Sequence, residues 1–306
     1  MRLAVAATPH VAIPTLEFLH SGKDSLVRIF TTEDKAIGRG RTLTPSDVAI
    51  WAHEHGVECV KVGKAGMMAE HLDDIDCVVT VAFGILLPQE ILSIPTHGFI
   101  NLHFSLLPAW RGAAPVQRAI ENGDENLGIS VFLLEKGMDT GPIYVQSSFP
   151  RDSSMRSKEA LEFLSEEGVA LIAKTLRDIS NGVTPVEQSD NGVSLARKLS
   201  KAEALIDWHL SSSVIDRKIA AFYPNPIAFT NFRGEVLKIT RSKVCNDFSA
   251  EPPLQAGELI IEKDRVLIVT GDQPLEIVQL IPQGKPEMKA TDWARGARIN
   301  PGELCG

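Results

Sequence analysis

Cysteine is scarce in this chain of 306 residues: four, at positions 59, 77, 245 and 305, with no C-x-x-C pair among them. That excludes a zinc ribbon and a thioredoxin-like redox centre. A chain of this length buries a core without cross-links, so four buried free thiols in a reducing compartment are expected. Long apolar runs are missing as well. The most apolar stretch, Val78 to Pro88, is about half of what a bilayer crossing needs. The opening run Leu3 to Ala7 is cut short by Pro9 and His10, too early for a signal peptide. The expectation is a cytoplasmic protein with no membrane association. The first turn, Ala6-Ala7-Thr8-Pro9-His10, has no glycine, and Gly38-Arg39-Gly40 lies elsewhere without a third glycine. A G-x-G-x-x-G dinucleotide fingerprint is therefore absent, which argues against an NAD-dependent oxidoreductase. Net positive charge is also lacking: 31 Lys+Arg against 39 Asp+Glu give −8. By that total the chain repels nucleic acid. No internal repeat or low-complexity tract is present.

What is there is an ordinary globular composition, 44% hydrophobic and 23% charged, long enough for two domains at ~150 residues each. The first 145 residues alternate apolar runs with amphipathic segments. Leu3–Ala7, Leu26–Phe30, Val57–Val62, Cys77–Ala82 and Phe99–His103 read as strands. Pro14–His20, stopped by Gly22, reads as a helix, and a second helix, capped by Thr44 with Pro45 at its first position, runs to Gly56. Alternating strands and helices imply right-handed crossovers and a parallel sheet covered on both faces. Ile129–Leu134 and Ile143–Gln146 extend the sheet, and a helix over Ser157–Ile179 closes it. Residues 184 to 203 are polar and broken. Beyond a helix at Ser211–Phe222, short strands at 227–230, 236–239, 257–260, 266–269 and 275–280 predict a small antiparallel barrel or sandwich.

The chemistry is expected just beyond the carboxyl ends of the parallel strands. On the fifth strand Asn101 and His103 are two residues apart and share one face. The amide can hydrogen-bond an oxyanion, and the imidazole can act as acid or base near neutral pH. Taken alone, such a pair is more often two satisfied core groups. The Ser105-Leu106-Leu107-Pro108 turn, and Pro115 near the start of a helix, shift that balance. Gly137-Met138-Asp139-Thr140-Gly141 is a glycine-bracketed loop holding one carboxylate. Asp139 is expected to set the tautomer of His103 and raise its pKa. His53 and His55 point to different faces of one helix and read as surface residues. Trp51, Trp208 and Trp293 read as packing residues.

The stretch from Asn101 to Gln117, NLHFSLLPAWRGAAPVQ, resembles the folate-dependent formyltransferases. Its Trp-Arg-Gly-Ala-Ala-Pro-x-Gln continuation is similar to their methionyl-tRNA branch. Val81 to Pro88 is similar to the family's folate-pocket strand and loop, Gly137–Gly141 to its catalytic aspartate loop, and Lys198 to Trp208 to its linker. The resemblance runs nearly end to end. It implies an α/β fold: a Rossmann-like, mostly parallel formyltransferase domain at 1–183, a linker at 184–205, and a small OB-like barrel at 206–306 that binds tRNA. It implies transfer of the formyl group of 10-formyltetrahydrofolate to methionine on charged initiator tRNA. No metal is suggested by the sequence, and a monomer is expected. The implied catalytic trio is Asn101, protonated His103 and Asp139. The implied folate contacts are Ser105, Leu106, Leu107, Pro108, Phe83, Gly84 and Leu86. A basic insertion after the second strand corresponds to Thr31–Arg41, read as a mobile arm with Lys35, Arg39 and Arg41 on the tRNA. The chain departs from the family at Ala7 (usually glycine), His10-Val11, Phe83, Phe104 and Asn225.

Three other readings stay open on the sequence: a sugar-nucleotide formyltransferase, a formyltetrahydrofolate deformylase, and a folate- or tRNA-binding module without activity. Sugar-nucleotide relatives typically carry an Asn-Trp pair where this chain has Gln117-Arg118. Charge distribution yields a test. Residues 1–189 carry 16 basic and 24 acidic residues, while 190–306 carry 15 of each, so all the net acidity lies in the first part. tRNA binding should then rest on few phosphate contacts, with a slope of log K against log salt of about −2 to −4. A slope of about −8 would reveal a basic surface this reading has missed.

Overall fold

The computed structural model describes residues 1–37, 42–245 and 255–306. The expected tRNA contacts Arg39 and Arg41 lie outside the described residues. The chain divides into two compact units. The first comprises residues 1–115, 126–150 and 161–197, and the second 116–125, 151–160 and 198–306.

In the first unit, β1 (Arg2–Ala7) leads through helix α1 (Ile13–Ser21) to β2 (Ser25–Thr32). A short hairpin follows, β3 (Lys35–Ile37) against β4 (Thr42–Thr44). The segment read as a mobile arm thus has paired flanks, with Lys35 exposed on one of them. Helix α2 (Asp47–Glu54) is capped by Ser46, whose Oγ accepts the Ala49 N–H at 3.1 Å. The expected cap, Thr44, is instead the last residue of β4, because the residue before a proline favours extended backbone. Then come β5 (Glu58–Val62), β6 (Cys77–Val81), a short α3 (Gln89–Leu92) and β7 (Phe99–His103). The stop at Gly22 holds by position only, since that glycine is extended rather than left-handed.

After a two-residue strand β8 (Arg111–Gly112) and α4 (Pro115–Asn122), β9 (Asn126–Leu133) and β10 (Ile143–Pro150) complete a seven-stranded sheet ordered β10-β9-β7-β6-β1-β2-β5. The five strands from β5 to β7 are parallel and the two added at the β7 edge are antiparallel. The chain winds outward from β1 to β5 and then returns to the other side of β1. A crevice therefore opens at the carboxyl ends of β1 and β6, the usual ligand position in such sheets. One face is packed by Ala4, Ala6, Phe30, Val78 and Phe99, all fully buried. Helix α5 (Ser157–Ser180) approaches β7 closely: a Cβ on Gly168 would lie 2.8 Å from Leu102 Cδ2. Another short strand, β11 (Leu195–Ala196), pairs with β8.

The second unit contains α6 (Ser212–Phe222) and an antiparallel sheet. Its strands are β12 (Phe229–Phe232), β13 (Glu235–Val244), β14 (Leu259–Ile261), β15 (Val266–Ile268), β16 (Leu275–Pro282) and β17 (Met288–Lys289), followed by α7 (Ala290–Ala297). Residues 303–306 bridge both edge strands. Cys305 pairs with Phe232, Leu304 with Glu258, and the Glu303 carbonyl accepts the Leu259 N–H. The sheet therefore curls round on itself as a small barrel. All four cysteines are free; Cys77, Cys245 and Cys305 are buried, while Cys59 is only half-buried, short of the burial expected for it. Burial pushes the Cys77 and Cys305 thiols up to about 12, so neither is a nucleophile.

Candidate active site

The packed face of the sheet turns polar at the carboxyl ends of β6 and β7. Val78 pairs with Phe99 in the core, and two residues on Thr80 pairs with Asn101. Side chains two apart on a strand share a face, so Thr80, Asn101 and His103 continue the line set by Val78 and Phe99. Thr80 Oγ1 lies 2.8 Å from Asn101 Oδ1 and 3.0 Å from the Ile100 carbonyl.

His103 is 5% exposed. Its Nε2 is 3.0 Å from the Trp110 carbonyl. A carbonyl only accepts, so Nε2 carries the proton and the neutral ring presents a bare Nδ1. Nδ1 faces Asp139 Oδ2 at 3.8 Å, beyond hydrogen-bond range. Burial drives the His103 pKa below 6.5, overcoming the opposing pull of Asp139 and the Trp110 carbonyl. This corrects the expectation of a raised pKa and a protonated ring. The carboxylate is too far to accept a hydrogen bond from the imidazole directly, and Oδ2 instead accepts the Gly112 N–H at 2.7 Å.

The loop around the site is held by a segment that reads as a linker. Trp110 has φ +60°, an outlier for a bulky residue. Its N–H donates to Ser194 Oγ at 2.8 Å, and the Arg111 N–H to the Ser194 carbonyl at 2.9 Å. Gly112 has φ +126°, and a Cβ there would lie 2.7 Å from the Ala196 carbonyl, so the β8–β11 pairing tolerates only glycine. Gln188 ties the two halves together. Its Nε2 donates to the carbonyls of Asp139 and Gly141, each at 2.8 Å. Its Oε1 accepts from Arg111 at 2.6 and 3.1 Å. Sequence reading missed Gln188, Ser194 and Thr80. Only Thr80 had a visible signal, as the hydroxyl in an otherwise apolar strand.

The other expected residues divide. Phe83 is buried, Gly84 has φ +77°, and Leu86 is 87% exposed between Ile85 and Leu87, which pack on the core. The Phe83 carbonyl lies 3.4 Å from Thr8 Oγ1, at the crevice between β1 and β6. Ser105 and Leu107 are buried: Ser105 Oγ donates to the Ala109 carbonyl, and the Leu107 N–H to Ser130 Oγ. Leu106 covers Gly128 of β9, and Pro108 is half-buried. Of that turn, the side chains of Ser105 and Leu107 are the buried ones. Met138, beside Asp139, is 59% exposed. Arg118, set against Trp in sugar-nucleotide relatives, pairs with Glu121 and Glu203 within the second unit. Among the described residues, no group of three or more His, Cys, Asp or Glu is placed to hold a metal ion.

Family models match the chain twice: Formyl transferase over residues 1–174, and Formyl transferase, C-terminal domain, over 198–298. A methionyl-tRNA formyltransferase of Salinispora tropica is 42% identical over 310 residues, covering 99% of both chains. One from Thermobifida fusca is 42% identical over 311 residues, covering 100% of this chain and 99% of its own. Among solved structures, methionyl-tRNA formyltransferase from Clostridium thermocellum superposes with a TM-score of 0.57 at 16% identity, over 81% of this chain and 95% of that one. An N-formyltransferase from Helicobacter canadensis, solved with folinic acid and dTDP-3-aminofucose, gives 0.70 at 19% identity, over 92% and 100%. At those identities the two structures share the fold.

Two predictions follow from this geometry. The buried ring must be neutral to offer Nδ1, so the His103 ring resonances, followed on acidification, should titrate below 6.5. The unfolded ring titrates near 6.5 and the folded ring lower, so the stability due to His103 is full above 6.5 and is lost as pH falls through the folded value. Urea unfolding at several pH values, with His103→Gln as reference, reads that share; a ring titration above 6.5 would mean that Asp139 prevails. Gln188→Ala should lower stability by about 2 kcal/mol, the sum of a few lost hydrogen bonds, and reduce kcat at least about tenfold by releasing the Asp139 loop. Wild-type kcat in a stably folded variant would remove Gln188 from the site's support.

Proposed function

The chain belongs to the formyl transferase family, within its methionyl-tRNA formyltransferase group, and from that premise we propose that it transfers the formyl group of 10-formyltetrahydrofolate to the α-amino group of methionine on initiator tRNA. The products are N-formylmethionyl-tRNA and tetrahydrofolate. The observation that carries this reading is the pair of acceptors at the site. Nδ1 of neutral His103 and Oδ2 of Asp139 stand 3.8 Å apart, and with Nε2 donating to the Trp110 carbonyl both face the site as acceptors. A primary amine ~2.9 Å from each satisfies both with its two N–H groups.

The roles then follow. The amine attacks the formyl carbon, and the carbonyl oxygen gains negative charge. Asn101 donates to that oxyanion through its side-chain N–H. His103 takes one amine proton at Nδ1 and returns it to the departing folate nitrogen as the old carbon–nitrogen bond breaks. Asp139 stabilises the imidazolium that exists between those two events. Protons and electron pairs balance with no further reactant.

For the folate we assign Leu86 and Gly84 on the β1–β6 crevice, with Phe83 packed beneath. The main chain of Ser105–Pro108 and the Leu106 side chain form the other boundary. Exposed Met138 is added as an apolar contact. For the tRNA we retain Lys35, Arg39 and Arg41, together with the second unit's barrel. The domain assignment is the one read from the sequence: 1–183 catalytic, 206–306 tRNA-binding. A monomer acting in the cytoplasm fits this role.

Release of tetrahydrofolate should depend on charged initiator tRNA and be absent with an amino-sugar nucleotide or with no acceptor. Release in the no-acceptor control alone would make the protein a deformylase. Asn101→Ala should lose ~3 kcal/mol of transition-state stabilisation, roughly a hundredfold in kcat. A change of less than about twofold would reject the oxyanion role.

A further inference from the structure

We infer that Thr80 is a positioning residue that fixes which end of the Asn101 amide faces the reacting carbonyl. This rests on the transfer reading above. An asparagine amide has one accepting end and one donating end. Only the donating end can stabilise an oxyanion; the opposite orientation would aim lone pairs at the developing charge. Nothing in Asn101 itself chooses between the two.

Thr80 supplies the choice. It sits directly across from Asn101 in the parallel β6–β7 register. Its hydroxyl is 2.8 Å from Asn101 Oδ1 and 3.0 Å from the Ile100 carbonyl, and the residue is 3% exposed. A hydroxyl has one proton and two lone pairs. If that proton goes to Oδ1, the amide NH2 is turned outward to the crevice. If it goes to the Ile100 carbonyl, the Thr80 oxygen is left to accept from the amide NH2, and Oδ1 is turned outward. The shorter contact is to Oδ1, and the first arrangement is the one that serves the chemistry. The other residues of β6 are Cys77, Val78, Val79 and Val81, all fully buried, so the strand offers no other hydroxyl to perform this task. Thr80 touches no reacting atom; it acts only through Asn101.

The test uses the full-length protein and the variants Thr80→Val, Thr80→Ser, Asn101→Ala and the Thr80→Val/Asn101→Ala double. Thr80→Val should lower kcat about ten- to a hundredfold with KM for both substrates nearly unchanged, and Thr80→Ser should restore most of it. In the Asn101→Ala background Thr80→Val should have no further effect. The Asn101 side-chain NH2 resonances, identified by their loss in Asn101→Ala, should move in Thr80→Val and return in Thr80→Ser. That readout needs no turnover. If the wild type transfers nothing to charged initiator tRNA, the reading of function fails while the resonances still judge Thr80. Unmoved resonances in Thr80→Val, or an equal loss in the Asn101→Ala background, would overturn the proposal.

Discussion

The Trp110 carbonyl accepts from His103 Nε2 at 3.0 Å, and the chemistry available to the site follows from that bond. It fixes the tautomer and leaves Nδ1 bare on the side of Asp139. The carbonyl reaches that position because Trp110 adopts φ +60°, a conformation that costs of order 1–3 kcal/mol for a non-glycine residue. Four features hold it there: Ser194 Oγ on the Trp110 N–H, the Ser194 carbonyl on the Arg111 N–H, the β8–β11 pairing, and the absence of a Cβ on Gly112. A segment some 80 residues downstream thus sets the protonation of the ring.

Two opposing effects meet at His103. Removing the imidazolium from water favours the neutral ring, and a nearby carboxylate favours the charged one. Here burial prevails, for a geometric reason. Asp139 stops at 3.8 Å and shares its oxygen with the Gly112 N–H, so its field acts on the ring without a hydrogen bond. The arrangement suits a base that starts neutral and needs help only once charged. A closer carboxylate would leave the ring protonated at rest and unable to take a proton from an amine.

The strand pattern of the first unit was legible because burial on both faces writes an apolar run into each parallel strand, as in Cys77–Val81. Asn101, His103 and Asp139 were legible as a candidate site because the stretch from Asn101 to Gln117 and the Gly137–Gly141 loop resemble a family motif; two polar residues two apart on a strand, taken alone, are more often satisfied core groups. The supports were not. Gln188 and Ser194 lie in a polar stretch whose composition is that of any loop, and their roles exist only through contacts some 50 to 80 residues away. The protonation of His103 was also beyond reach, since it depends on how far Asp139 stands off and how completely the ring is enclosed. The cap of α2 was misread by two residues because Thr44-Pro45 and Ser46 are equally good signals until the β3–β4 hairpin claims the first.

The aim of Asn101 and His103 is set by residues that take no part in the chemistry. On β7, Phe99, Ile100 and Leu102 are buried on alternating faces. Leu102 is pressed by α5 at Gly168, and Phe99 belongs to the core cluster opposite. Shifting the register by one residue would exchange the faces. Asn101 and His103 would then lie under α5, and Leu102 would fill the crevice. The apolar half of the strand therefore excludes every register but one. At about 3.3 Å per residue, it delivers the amide and the imidazole some two and four residues beyond Phe99, where the packed face ends and polar groups can remain unpaired until a substrate arrives.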